Sequence, residues 1–124
     1  MQVEIVVHPT FIAGIVRGTF SMADAKAGLD RIADACRQHG CSKVLLDGRM
    51  LESGFGVADR FVAAEYLAAV LPQGTHVASL SHAPIHQESK IFENTANNRG
   101  AFMLTTQSAV EAANFLGIDP ADIG

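Results

Sequence analysis

The strongest constraint on this chain is a change of hydrophobic period that recurs along it: short apolar or alternating runs give way to longer runs with apolar residues three and four apart. Val3, Ile5 and Val7 share one side of an extended segment over residues 1–7, which His8-Pro9 ends. Residues 11–20 (FIAGIVRGTF) predict a second strand, close enough to the first for a hairpin, with Gly14 and Gly18 loosening it. Ser21-Met22-Ala23-Asp24 is an S-x-x-D capping box. Ala25, Leu29, Ile32, Ala33 and Cys36 then follow at helical spacing until Gly40 closes the helix.

The same alternation continues. Lys43–Asp47 (KVLLD) reads as a buried central strand and Gly48–Gly56, with three glycines, as a loop. A second helix is expected over Val57–Leu71, with Phe61, Ala64, Leu67, Val70 and Leu71 inward, then a strand over Thr75–Ser81. A third helix opens at Pro84 and reaches Asn98, with Ile85, Ser89, Phe92 and Ala96 on its inner stripe. A strand over Ala101–Thr105, a helix from Ser108 to Leu116 and a tail over residues 118–124 complete the chain. The order ββαβαβαβα in 124 residues predicts a single α/β domain, 1–124, with a mixed, mostly parallel five-stranded sheet. If consecutive strands are neighbours, right-handed crossovers put the helices mainly on one face. The alternation in residues 76–81 suggests that Val77, Ser79 and Ser81 lie on the open face. A flat, partly apolar face of that kind predicts a homodimer burying over ~1,000 Å² in total, through this face or the edge of the first strand.

Composition excludes several function classes. Thirteen acidic against nine basic residues, a net charge of −4, argue against a nucleic-acid or anionic-membrane partner. No apolar run reaches the ~18–20 residues of a membrane span, and MQVEIVVHP lacks the basic start of a secretory signal, so the expected location is cytoplasmic. Cys36 and Cys41 flank a helix stop that Gly40 already makes, so no disulfide is expected. His82 and His86 are separated by Pro84, and His39 with the two cysteines lacks zinc spacing, so no metal is expected. No phosphate-binding glycine loop or nucleophile elbow occurs, and no cofactor is implied.

The chemistry-bearing candidates are few. Asp47 stands at the carboxyl end of a central strand, where α/β proteins place their sites, with Arg49 two residues on. The two suit either a phosphoryl group or ligand, or a structural role in which Asp47 caps the loop or pairs with Arg49 or Arg60. Arg60, at the start of the next helix, is expected within salt-bridge reach of Asp47 or to share a loop partner with it, ordering the 48–56 loop. A receiver-type phosphoacceptor would need an acidic pair after the first strand, where this chain has His8-Pro9-Thr10. His82 ends the strand over 75–81, and Glu93, Asn97, Asn98 and Arg99 cluster at a helix end, where they suit either capping or a polar contact.

Several segments together resemble the small bacterial SpoIIAA-like proteins, stand-alone relatives of the STAS domain. They are the strand Val44-Leu45-Leu46-Asp47, the helix start Asp59-Arg60-Phe61, the run Phe92–Gly100 ending in N-R-G, and the strand Phe102–Thr105 before a helix ending in Phe115-Leu116. The resemblance spans residues 1–117 and implies the STAS fold more than an activity. In the family's antagonists a serine at the start of the helix after the third strand is phosphorylated, and Ser53 is the candidate here. The expected function is a non-enzymatic protein-interaction or regulatory module that uses the loop after the third strand and its neighbouring helix. The alternative is a small-ligand binder or minor enzyme, with Asp47, Arg49, His82 and Arg99 lining one pocket at the sheet's carboxyl edge.

Overall fold

The computed structural model describes residues 1–53, 55–82 and 87–124, without the side chains of residues 53 and 87–89. Five strands form one sheet in chain order: β1 (Gln2–Val7), β2 (Ile12–Thr19), β3 (Lys43–Ser53), β4 (His76–Leu80) and β5 (Phe102–Thr106). β1 is antiparallel to β2, and β2 to β5 are mutually parallel. The helices are α1 (Met22–His39), α2 (Val57–Val70), α3 (Gln87–Asn98) and α4 (Ala109–Leu116), followed by a 3₁₀ turn at Pro120–Asp122. The element order is the one its periodicity predicts. The expected start of α3 at Pro84, the inward placing of Ile85 and Ser89, and His86 lie outside the described residues and side chains.

Three crossovers step across the sheet in one direction, so a right-handed sense puts α1, α2 and α3 on the same face. The register aligns Ile12, Val44, Val77 and Met103 in one row across four strands. This row lies under Leu29, Ile32 and Cys36 of α1, Ala63, Ala64 and Leu67 of α2, and Phe92 and Ala96 of α3. Gly14 fits this layer because a Cβ there would stand 2.7 Å from Ile32 Cδ1. On the other face Leu45, Ala78 and Leu80 are covered by Ala112 and Leu116 of α4, with Ile118 and Ile123 beside them. The expected tail is therefore packed against the sheet.

The caps behave as the sequence suggests. Ser21 accepts from Asp24 N–H at 3.4 Å and Gly40 ends α1 in the left-handed region, at φ 60°. Ser108 accepts from Glu111 N–H at 3.1 Å to start α4.

Three expectations are corrected. Residues 48–53 continue β3, because β2 extends to Thr19 and offers a partner along that length. At two register shifts β3 carries an extra residue, and the first, between Asp47 and Met50, takes in Gly48. Phe61 is exposed, because α2 approaches the sheet through the small side chains Ala63 and Ala64. Val77 belongs to the face under α1–α3, so the open face inferred from Val77, Ser79 and Ser81 is covered by the chain's own helices.

Candidate functional site

Asp47 sits where β3 still has neighbours on both sides, paired with Ile15 of β2 and Leu80 of β4. Its side chain shares the α4 face with Leu45, two residues earlier. Arg49 returns over it: Nε donates to Oδ1 at 2.9 Å, Nη2 donates to Oδ2 at 2.8 Å, and the Arg49 backbone N–H donates to Oδ1 at 3.2 Å. This is a bidentate, charge-assisted pair. Arg49 Nη1 also donates to the Gly124 carbonyl at 3.4 Å, tying the C-terminal turn to the sheet. Burial alone would raise the Asp47 pKa, but hydrogen bonds from Arg49, helped by the nearby charge of Arg17, hold it below the usual carboxylate range. The Arg49 pKa rises through its hydrogen bonds to Asp47. Both Asp47 oxygens are thus engaged from within the chain.

The other candidates lie elsewhere. Arg60 belongs to α2, on the opposite side of the sheet from Asp47, and its guanidinium stands 4.5 Å over the Phe55 ring. The expected Asp47–Arg60 pair is replaced by Asp47–Arg49. His82 is exposed beyond β4, and its carbonyl accepts from Gln107 Nε2 at 3.1 Å. Asn98 is exposed, and Arg99 pairs with Glu65 of α2 at 3.3 Å. Arg99 borders a hollow of about 370 Å³ formed with residues 71–75, where β4 and β5 begin. Asp47 and Arg49 are brought together. His82 and Arg99 join neither them nor each other: Arg99 lies where β4 and β5 begin and His82 beyond the end of β4. The side chain of Ser53, the phosphorylation candidate, lies outside the described atoms. Its backbone ends β3 opposite Thr19, and α2 starts only at Val57, with Gly56 as its cap.

Cys36 is a buried free thiol whose pKa burial pushes up to about 11, with the nearby Cys41 adding to the rise. Among the described residues no group of three His, Cys, Asp or Glu side chains could hold a metal ion, and no described helix is long and apolar enough to cross a membrane.

Two features went unread in the sequence. Asn97 donates to the Met103 carbonyl at 3.0 Å and accepts from Met103 N–H at 2.6 Å, while Glu93 accepts from Thr105 N–H at 2.7 Å. These side chains close the outer edge of β5. The end of α3 is capped instead by the backbone around Gly100, at φ 93°. The second feature is the outer face of α2, where Val57, Phe61 and Val62 are 41%, 45% and 42% exposed. The signal was available: VADRFVAAEYLAAV carries only Asp59, Arg60 and Glu65 as charges and is apolar nearly all round, a pattern expected of a helix covered on every side.

No family model matches the chain, and no curated protein matches it by sequence. A solved structure of the anti-sigma factor antagonist SpoIIAA in its unphosphorylated form superimposes with a TM-score of 0.58 over 95% of this chain and 99% of that one, at 14% identity. The chain has the STAS-like fold of SpoIIAA. The match agrees with the resemblance carried by its strand and helix motifs, and at this identity it speaks for the fold alone.

Proposed function

We propose that this STAS-like domain is a non-enzymatic regulatory module that binds a partner protein through the outer face of α2 and the adjoining β3–α2 connection. The observation that carries the reading is the exposed group Val57, Phe61 and Val62 on a helix that already buries Ala63, Ala64 and Leu67 beneath it. Apolar side chains gathered on a surface helix mark protein contact more often than chemistry. The similarity to SpoIIAA, an anti-sigma factor antagonist, supports a role exercised on another protein. Ser53 is the proposed switch, since it closes β3 three residues before the cap of α2, and a phosphate there would bring charge next to the contact surface. The test is capture of cellular proteins by wild type and by Phe61→Asp, compared by quantitative mass spectrometry. A protein retained by wild type and lost with the variant supports the reading, and identical profiles count against it.

A second copy of the chain is a further partner, now through the edge of β1. The β5 edge is closed by Asn97 and Glu93, and on β1 Arg31 Nη1 covers the Val3 carbonyl at 3.2 Å, so the part of β1 offered for pairing is the end that carries the exposed Val7. Light scattering at micromolar concentration distinguishes a 13.1 kDa monomer from a species of twice that mass.

A further inference from the structure

We propose that the cleft between the α1–α3 layer and the far half of β3 binds a small uncharged molecule, mostly hydrocarbon and about the size of a single ring. β2 and β3 run past the last β4 pairing, Asp47 with Leu80, so, among the described residues, 48–53 pair with β2 alone. On the helix side of this projecting ribbon the layer does not seal. Leu46, Gly48 and Ser79, central in the sheet, are only half-buried under three helices, whereas Val44 and Val77 two residues earlier are fully buried. The opening is a cavity of about 110 Å³.

Its lining defines the chemistry of the occupant. Among the described residues that line the cavity no side chain is charged, and Ser79 supplies the one side-chain hydroxyl. Leu29, Leu46 and Leu51 form much of the wall, and Gly48 contributes no side chain. Three rings stand around it: Phe55 packs against Phe20 at 4.6 Å between centroids and meets Phe92 edge-on at 5.6 Å. A sugar would lose its hydration here for one described side-chain hydroxyl, and an anion would find the Met1 ammonium already paired with Asp24 at 3.3 Å. An uncharged ring would gain apolar contact with the lining and edge-to-face partners among the phenylalanines. The volume is of the order of the ~150 Å³ apolar cavity known to take up benzene, which sets the size. This site is separate from the outer face of α2, and its test does not depend on a protein partner.

The experiment uses the full chain with methyl-labelled leucine and alanine, titrated with toluene and with indole, and with glycerol as a polar control. Saturable shifts at Leu29, Leu46, Leu51 and Ala63 are expected, with a dissociation constant on the order of 1 mM or tighter for toluene or indole. Ala25 also borders the cavity and is partly exposed on α1, so Ala25→Phe fills the space from its wall and should weaken binding at least tenfold. Should that variant not fold, Ala25→Leu fills less of the space and should weaken binding in the same direction. Absence of saturable shifts, equal shifts with glycerol, or full binding retained in the folded filled variant would overturn the proposal.

Discussion

Removing the guanidinium that closes over Asp47 should be felt well beyond an ordinary surface change. In Arg49→Met, Asp47, whose side chain is 12% accessible beneath the arginine, loses two side-chain hydrogen bonds, at 2.9 and 2.8 Å. Hydrogen bonds to charged groups contribute about 1.5–3 kcal/mol each in favourable cases, and breaking a fully buried pair costs about 3–5 kcal/mol. The Arg49 side chain is one-third accessible, so water screens the pair and replaces part of the loss. The net destabilisation expected at pH 7 is about 2 kcal/mol. Replacing Asp47 by Asn as well removes the stranded charge, so the double variant should recover about half of that loss. The folded-state pKa of Asp47 lies below its unfolded value. The contribution of the pair is therefore complete above the unfolded pKa of about 3.9 and disappears as pH falls through the lower folded value. Urea unfolding followed by circular dichroism at pH 7 and under acid conditions reads both effects. A single variant within about 0.3 kcal/mol of wild type at pH 7, or a coupling that survives full protonation of Asp47, would refute the reasoning.

Phe92→Ala should cost about 3–5 kcal/mol, since the ring is buried in the α1–α3 core and meets Phe55 edge-on; an unchanged thermal midpoint would contradict its place there. Asn97→Ala should cost about 1–3 kcal/mol and promote association through the reopened β5 edge, read by urea unfolding and light scattering together. Ser53→Asp should reduce capture of the α2 partner while Ser53→Ala leaves it intact, and equal capture by both would remove the proposed switch.

How much of this was legible in the sequence varied by element. The strand–helix order was readable because each segment keeps its own period and the turns carry their own chemistry, as at Ser21, Gly40 and Ser108. The length of β3 was not, because residues 48–53 owe their strand to a neighbour more than thirty positions earlier and to register shifts that no local pattern announces. The phase of α2 was hidden by its even apolar content, and the choice between Phe61 and Ala63 rests on how closely the helix approaches the sheet. The Asp47–Arg49 pair was legible as one of the structural readings that the two-residue spacing allows, beside a loop cap or a pair with Arg60, and the structure selects it. The role of Asn97 could not be seen, since it requires knowing that β5 is an edge. Arg99 and His82 belong to different ends of the sheet, a separation set by chain direction that spacing alone does not reveal.

The central claim, that α2 presents a partner-binding face, is tested most directly by quantitative affinity capture with wild type and with Phe61→Asp, each first checked for thermal unfolding. Both side-chain exposure and helix position place Phe61 outside the core, so the variant should unfold within about 0.5 kcal/mol of wild type. The account predicts a defined protein enriched by wild type and reduced at least tenfold with Phe61→Asp, the size of effect a central apolar contact produces. The same protein captured equally by both folded chains would contradict it.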